Sequence, residues 1–220
     1  MRTNLLNFNQ IFRLVFVLGI FSMLSPAPVD SKERPVVLAF GDSLTAGFGV
    51  NEEESYPSRL QVKITSAGFP HKVVNAGVSG DTTAGGVRRI RWLMKHEPEI
   101  VILALGANDG LRGLSADEMR RNLETIIKIC REHNARILLA GMKALPNYGA
   151  DYTQEFEAVF PELAKKHDLN FLPFLLEGVA GEREYTQPDG LHPVAEGYSI
   201  VTDLVWKRLE PMLAVSGRRQ

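Results

Sequence analysis

Cysteine is nearly absent from this 220-residue chain, which contains only Cys130. A single cysteine excludes an internal disulfide and a cysteine-rich zinc site. Because Cys130 lies in an apolar stretch of helical pattern, we expect it to be a buried packing residue. An excess of positive charge is also lacking, since 25 Lys and Arg stand against 26 Asp and Glu and give a formal net charge of -1. Without a basic field to hold a phosphate backbone, nucleic acid is not an expected partner.

The N-terminal apolar run is too short for an ordinary membrane span. Leu14 to Leu24 has 11 residues, whereas a spanning helix takes about 20. Arg2 and Arg13 precede the run, and the small or turn-forming residues 25–28 follow it, which is the pattern of a secretory signal segment. We therefore predict that residues 1–31 are a signal peptide or, if uncleaved, an N-terminal anchor and the only membrane contact. No cysteine follows the run, which excludes a lipid-modified cysteine anchor, and the protein is expected to be exported, either periplasmic or secreted.

Residues 32–220 have the composition of one soluble domain. The whole chain is 45% hydrophobic and 23% charged, and no internal repeat or Pro/Gly-rich linker divides it. Apolar runs of strand length alternate with stretches of helical period, which predicts a parallel sheet covered on both faces. The fold class is thus α/β, a three-layer α/β/α sandwich with a five-stranded parallel sheet. The predicted strands are Val36–Phe40, Val73–Asn75, Ile100–Leu105, Arg136–Ala140 and Asn170–Phe174. The predicted helices are Tyr56–Ala67, Thr83–His96, Ala116–His133, Thr153–His167 and Pro193–Leu213.

Small polar residues follow the predicted strands. In an open parallel sheet, ligands bind outside the carboxyl ends of the strands, where loops from different βα units converge. Four loops supply Ser, Gly, Asn, Asp and His to this edge. They are Gly41-Asp42-Ser43-Leu44, Gly77-Val78-Ser79-Gly80-Asp81, Gly106-Ala107-Asn108-Asp109 and Asp189-Gly190-Leu191-His192-Pro193.

Ser43, His192 and Asp189 have the chemistry of a nucleophile, its base and the orienting acid. A serine hydroxyl needs a neighbouring base, and neutral histidine is the side chain best suited to that near pH 7. Asp189, three residues before His192, can accept a hydrogen bond from the other ring nitrogen and stabilise the imidazolium. Pro193 suits the first position of the final helix, which would hold His192 at the rim of the sheet.

Attack on an acyl carbon also creates an oxyanion that needs preplaced donors. The available donors are the backbone N–H groups of Ser43 and Gly80 and the side-chain amide of Asn108. Each motif taken alone has an alternative interpretation as a turn or a helix cap. Their joint occurrence at strand ends favours a catalytic interpretation.

Two other classes of function remain open. The loop acids Asp42, Asp81 and Asp109 would suit a two-metal phosphoesterase, although we expect them to brace their loops through backbone hydrogen bonds. A non-catalytic ligand-binding module is the second alternative. The remaining histidines are expected to have structural or surface roles, because His71 precedes a strand and His96, His133 and His167 end helices.

The four motifs, in this order, resemble the blocks of the SGNH or GDSL hydrolases over residues 36–213. Within that family the chain is similar to the bacterial multifunctional group described as acyl-CoA thioesterase I, protease I, lysophospholipase or arylesterase. Supporting stretches are Asn108-Asp109-Gly110-Leu111-Arg112-Gly113, Leu145-Pro146-Asn147-Tyr148-Gly149 and Phe171-Leu172-Pro173-Phe174. No Gly-x-Ser-x-Gly elbow surrounds Ser43, so the common α/β-hydrolase lipase arrangement does not fit.

The resemblance implies a flavodoxin-like sheet and an esterase or thioesterase acting on apolar acyl chains through an acyl-enzyme, with no cofactor and no metal. It implies Ser43 as nucleophile, His192 as base and Asp189 as its partner, with Ser43, Gly80 and Asn108 forming the oxyanion hole. It also implies substrate contacts at Asp109, Gly110, Leu111 and Leu145. The expected ligand is a small-molecule ester, thioester or lysophospholipid, and the expected state is a monomer. Carbohydrate deacetylation is an alternative within the same fold.

Overall fold

The computed structural model describes residues 34–216 of the chain. The predicted signal segment, residues 1–31, lies outside these described residues. The sheet has five parallel strands in the order β2-β1-β3-β4-β5. The strands are β1 (Val36–Gly41), β2 (Lys72–Gly77), β3 (Pro98–Ala104), β4 (Arg136–Ala140) and β5 (Asn170–Leu172).

The α-helices of the described part are α1 (Ser43–Ala46), α2 (Tyr56–Ser66), α3 (Thr83–Leu93), α4 (Ala107–Leu111), α5 (Ala116–Glu132), α6 (Ala150–Lys166) and α7 (Ala195–Ser216). Short 3-10 turns lie at Glu52–Glu54, Met94–His96 and Pro146–Tyr148. Helix α5 packs between α3 and α6, and α2 packs against α7. These two groups cover the sheet and confirm the predicted three-layer α/β/α fold.

The core explains why the central strands are uninterrupted apolar runs. Side chains 37–40 of β1 and 100–104 of β3 are fully buried, because helices cover both faces of a parallel sheet. Cys130 is also fully buried, as predicted, and desolvation raises the pKa of its thiol to about 12. Within residues 34–216, no helix has the length and apolar character needed to cross a membrane.

Most predicted boundaries differ from the observed ones by one to three residues, and three of these differences have a clear position in the fold. Strand β5 ends at Leu172 instead of Phe174, because Pro173 has no N–H with which to continue the ladder. Helix α6 begins at Ala150, earlier than predicted. The last helix begins at Ala195, not at Pro193, which forms an antiparallel bridge with Thr186. His192 is therefore held by a closed loop and not by the first turn of a helix.

Candidate active site

Ser43 is fixed by the end of the first strand. It opens α1 directly after β1, and Asp42 caps that helix by accepting a hydrogen bond from the Leu44 N–H at 3.0 Å. Gly41 permits the tight strand-to-helix turn, since a Cβ there would lie 2.0 Å from Thr45 Oγ1. Ser43 is only 9% exposed. Its position therefore depends on the packing of the core.

Ser43, His192 and Asp189 meet across a long separation in sequence. Ser43 Oγ lies 2.9 Å from Nε2 of His192, and Nδ1 of His192 lies 2.6 Å from Oδ2 of Asp189. An ionised Asp189 accepts a hydrogen bond from the Nδ1–H group, which leaves Nε2 as the acceptor that faces the serine hydroxyl. The arrangement can therefore deprotonate Ser43 during attack.

Asp189 is held in its charged form. Desolvation raises its pKa, but the hydrogen bonds from the His192 ring and from the Leu191 and His192 N–H groups, with the charge of His192, outweigh it and lower the pKa to about 2. The two N–H groups both donate to Oδ1, at 2.9 and 3.0 Å. One carboxylate thus fixes both the ring and the backbone of the base.

A second carboxylate lies on the other side of the serine. Asp42 is fully buried, and its Oδ2 accepts a hydrogen bond from Asn108 Nδ2 at 3.2 Å. Desolvation raises its pKa to about 6, although the hydrogen bonds from Leu44 and Asn108 and the charge of His192 oppose that rise. Asn108 lies in α4, just beyond β3, the neighbour of β1. The structure thus brings the Asn108 amide to the strand end that carries Ser43.

The loop of Gly80 is braced by two arginines. Gly80 has a φ of 78°, and its carbonyl accepts a hydrogen bond from Arg112 at 2.9 Å. The Arg89 side chain donates to Asp81 and to the carbonyls of Ala76 and Gly41, each at 2.7 Å. Asp81 therefore braces this loop through the Arg89 guanidinium, which corrects the prediction of backbone partners.

A cavity of about 450 Å³ opens at Ser43 and His192. It crosses the carboxyl ends of β3, β4 and β5. Four polar residues line it, Ser43, Asn108, Lys143 and His192, and the others are glycine or apolar. Leu111 and Leu145, the two leucines predicted to contact substrate, line it. The other lining residues are Leu44, Ala107, Met142, Ala144, Phe174, Leu176, Ala180, Gly181, Gly190 and Leu191. Its size is that of a pocket for a small organic ligand.

Asp109 and Gly110, which were also predicted to contact substrate, are not among the residues that line this cavity. The Asp109 carboxylate is buried and accepts hydrogen bonds from Thr83 N and Oγ1, at 2.9 and 2.6 Å. Desolvation raises its pKa, against the effect of these bonds. Gly110 packs on the Phe156 ring, since a Cβ there would lie 3.0 Å from that ring. Both residues join α4 to the helices behind it.

The sequence interpretation missed several residues at the site. The ring of Phe48 lies 4.6 Å from that of His192, and Gln187 hydrogen-bonds to the loop that carries Phe48. Lys143 and Phe174 line the cavity. The rule that ligands bind at strand ends would have found the last two, because they follow β4 and β5. Gln187 gives no sequence signal beyond its position two residues before Asp189.

The acidic side chains of the site already have protein partners. Asp42 binds Leu44 and Asn108, Asp81 binds Arg89, and Asp109 binds Thr83. Among residues 34–216, no group of three or more His, Cys, Asp and Glu side chains is arranged to hold a metal ion. This arrangement gives the two-metal alternative no supporting observation.

Comparisons with known proteins agree with this geometry. Residues 39–200 match the GDSL-like lipase/acylhydrolase family. Esterase TesA of Pseudomonas aeruginosa is 36% identical over 178 residues, which cover 80% of this chain and 89% of that protein. Thioesterase 1/protease 1/lysophospholipase L1 of Escherichia coli K12 is 35% identical over 212 residues, or 95% and 98% of the two chains. The crystal structure of the psychrotrophic esterase EstA from Pseudoalteromonas, inhibited by monoethylphosphonate, superposes with a TM-score of 0.78 at 31% identity and covers 81% of this chain and 98% of that one.

Proposed function

Because this chain belongs to the GDSL-like lipase/acylhydrolase family and is a serine carboxylic ester hydrolase, we propose that Ser43 attacks esters and thioesters of apolar acyl chains. The observation that carries the proposal is the 2.9 Å contact between Ser43 Oγ and His192 Nε2 at the mouth of a largely apolar cavity. The hydroxyl and its neighbouring imidazole can carry out acyl transfer, and the cavity can hold the acyl chain of the substrate.

The reaction proceeds in two halves. His192 Nε2 takes the Ser43 proton as Oγ bonds to the acyl carbon, and the imidazolium then gives that proton to the departing alcohol or thiol. Water attacks the acyl-enzyme with His192 again as base, and the acid leaves as Ser43 regains its proton. Asp189, with its lowered pKa, remains ionised and stabilises the imidazolium in both halves.

The oxyanion is assigned to three donors, the backbone N–H groups of Ser43 and Gly80 and the Asn108 amide. The Asn108 amide has two N–H groups, of which one donates to Asp42. The second remains for the substrate oxygen. Asp42 is thus the positioning residue that fixes the amide against rotation.

The substrates are assigned to esters, thioesters or lysophospholipids with an apolar acyl chain. Leu111 and Leu145 are assigned as its contacts, and both are also partly exposed at the cavity rim, at 38% and 42%. Burying a methylene group contributes about 0.8 kcal/mol. A longer chain therefore binds more tightly until the cavity is filled.

Export is part of the proposal. The arginines and the apolar run within residues 1–31 support a signal segment. Esters outside the cytoplasm, lysophospholipids included, are then the accessible substrates, whereas cytosolic acyl-CoA is not. Cell fractionation followed by N-terminal sequencing tests this assignment. Finding the protein only in the cytoplasm, with Met1 retained, would refute it.

Phosphonate labelling tests the nucleophile. A p-nitrophenyl phosphonate should form one adduct on Ser43, located by peptide mass spectrometry, and stop ester hydrolysis. Ser43→Ala should neither react nor hydrolyse, whereas Ser66→Ala, at the exposed end of α2, should behave as wild type. An unlabelled Ser43 in an active protein would refute the proposal.

A substrate panel then tests the acyl specificity. It comprises p-nitrophenyl esters and acyl thioesters of graded length, with an acetylated sugar for the deacetylase alternative. The proposal requires kcat/KM to rise with chain length over the shorter members. A preference for the acetylated sugar would favour the alternative.

A further inference from the structure

Gln187 joins the loop of the base to the loop that follows the nucleophile. Its side-chain Nε2 donates to the carbonyl of Phe48 at 2.8 Å and to the carbonyl of Pro193 at 2.9 Å. Its backbone N–H donates to the His192 carbonyl at 2.7 Å, and its own carbonyl accepts from the Gly190 N–H at 2.9 Å. Both N–H groups of the amide and both backbone groups are therefore engaged.

These bonds close the loop that contains Asp189 and His192. The Thr186–Pro193 bridge lies just outside them, and the Val194 N–H donates to the Tyr185 carbonyl. Where this loop contacts the segment that carries Phe48, the centroids of the Phe48 and His192 rings lie 4.6 Å apart. Gly49 leaves room for the amide, because a Cβ there would lie 2.2 Å from Gln187 Oε1.

We propose that Gln187 is a positioning residue for His192 and that its amide sets the distance between the imidazole and Ser43. The inference rests on the proposed function. The hydrogen bonds within the loop shape it, and the bond from Gln187 to Phe48 ties the part of it that precedes Asp189 to the chain segment beside Ser43. A displacement of reacting groups by about 1 Å can cost about a hundredfold in rate.

Two independent changes break the same contact. Gln187→Met keeps the length of the side chain and removes both donations, with the exposed Gln154→Met on α6 as its control. Gly49→Ala displaces the amide without changing residue 187. Gly68→Ala is its control, because Gly68 has the same φ of +79° and no atom within 4 Å of an added Cβ.

We expect kcat to fall about ten- to a hundredfold in both test variants, with KM within about twofold of wild type. The rate of phosphonate labelling of Ser43 should fall in the same proportion, and both controls should match wild type. Gln187→Glu has a side chain of equal size without the N–H donors, and its kcat should fall as far as that of Gln187→Met. A loss confined to KM or to melting temperature, or a wild-type kcat in Gln187→Glu, would overturn the proposal. Failure of the proposed function would differ, since wild type itself would then lack labelling at Ser43.

A separate observation concerns Lys143, which among residues 34–216 is the one permanently charged side chain that lines the cavity. Its Nζ lies 4.6 Å from the centroid of the Phe174 ring and 3.9 Å from Glu177 Oε2. The ring orients the ammonium group at the cavity, and the distant, exposed Glu177 neutralises it only weakly.

The strand order sets the distance between Lys143 and Ser43. Lys143 follows β4, and Ser43 follows β1 with β3 between them. Neighbouring strands lie about 4.8 Å apart, so the ends of β1 and β4, which lead to these two residues, are separated by about 10 Å. The long side chain of lysine covers part of that span.

We infer that Lys143 binds an anionic group of the substrate, a phosphate or a carboxylate, several bonds from the scissile carbonyl. This inference also rests on the proposed function and defines its substrate class further. Two matched pairs of probes separate the sources of charge. The first is 1-acyl lysophosphatidate against the 1-monoacylglycerol of the same chain. The second is a p-nitrophenyl monoester of a dicarboxylic acid against the ester of the monoacid of equal length.

The measurement is the ratio of kcat/KM for the charged and neutral members of each pair. In at least one pair, Lys143→Gln should lower the ratio by about three- to tenfold, and added salt should lower it in wild type. Lys143→Arg should keep the ratio, as should Lys128→Gln on the exposed face of α5. The pair that responds identifies the charge as phosphate or carboxylate. Equal ratios in wild type and Lys143→Gln for both pairs would overturn the inference.

Discussion

The two halves of the site are built in different ways. Ser43 lies between a buried strand and a short helix, on elements that belong to the core of the sheet. His192 lies outside the sheet on a closed loop whose shape comes from local hydrogen bonds of Asp189 and Gln187. The proposed nucleophile is therefore placed by the global fold, whereas the proposed base is placed by a few contacts that can be changed without disturbing the core.

The two carboxylates of the site show the same contrast in their charge. Asp42 is buried beside the nucleophile, and desolvation raises its pKa to about 6. Asp189 lies at the rim, where hydrogen bonds outweigh desolvation and lower its pKa to about 2. When the surroundings of two carboxyl groups give them different pKa values, the two groups can serve different roles. In the proposed mechanism Asp189 supports His192 as an anion, and Asp42 holds the Asn108 amide.

Removing either partner of the Ser43–His192 pair should have the largest effect. We expect Ser43→Ala and His192→Ala each to lower kcat by about 10⁴- to 10⁶-fold, and the double variant to lower it no further. The two halves act as a unit, so the loss of one removes the function of the other. Steady-state hydrolysis of a p-nitrophenyl ester measures all three variants. Additive losses would show that the two residues act separately.

Asp189→Asn should follow, with kcat lowered by about 10³- to 10⁴-fold. The amide can still accept from the backbone of the loop but favours the wrong tautomer of His192. A circular dichroism spectrum unchanged from wild type would separate this effect from loss of the fold. A loss smaller than tenfold would mean that the loop alone orients the ring.

Asn108→Ala tests the half of the site that is built on the core of the sheet. Loss of one oxyanion donor should lower kcat by about 10²- to 10³-fold with little change in KM. Asn170→Ala, at the exposed start of β5, is the matched control. A rise in KM at constant kcat would instead assign Asn108 to substrate binding in the ground state.

The smallest expected effect is on stability and distinguishes the two acids by sign. Because the pKa of Asp42 is raised to about 6 in the folded protein, its protonated form stabilises the fold below about pH 4, and this stabilisation is lost as pH rises through about 6. Relative to Asp42→Asn, the free energy of unfolding of wild type should therefore fall by about 2 to 3 kcal/mol between pH 4 and 7. The lowered pKa of Asp189 acts oppositely, and its smaller, solvent-screened contribution is lost as pH falls from about 4 towards 2. Urea unfolding across this range measures both, and parallel curves for wild type and Asp42→Asn would contradict the assignment.

The sequence was sufficient for the fold because the uninterrupted apolar runs of buried parallel strands and the 3.6-residue period of helices each lie within a single element. The five strands were predicted near their observed positions, and the strand-end rule gathered Ser43, Asn108 and the Asp189–His192 motif at one edge. The start of the last helix was wrong because Pro193 pairs with Thr186, a contact that no local pattern records.

The lining of the cavity was harder to predict than the reacting groups. Asp109 follows Asn108 directly, yet its carboxylate binds Thr83 and Asp109 is not among the residues that line the cavity. The Gln187 contact with Phe48 spans 139 positions of the chain. Such contacts depend on how loops pack in three dimensions, and a single sequence does not encode that packing in its periodicity.

The pairing of α2 with α7 has a consequence for when the protein becomes active. Lys63 and Asp203 form an ion pair at 2.8 Å between these helices, so the last helix docks beside the one that follows the nucleophile loop. A growing polypeptide that has emerged only as far as residue 185 carries the hydroxyl without the imidazole. Because the proposed reaction needs both groups, a chain at that stage of synthesis cannot yet carry it out.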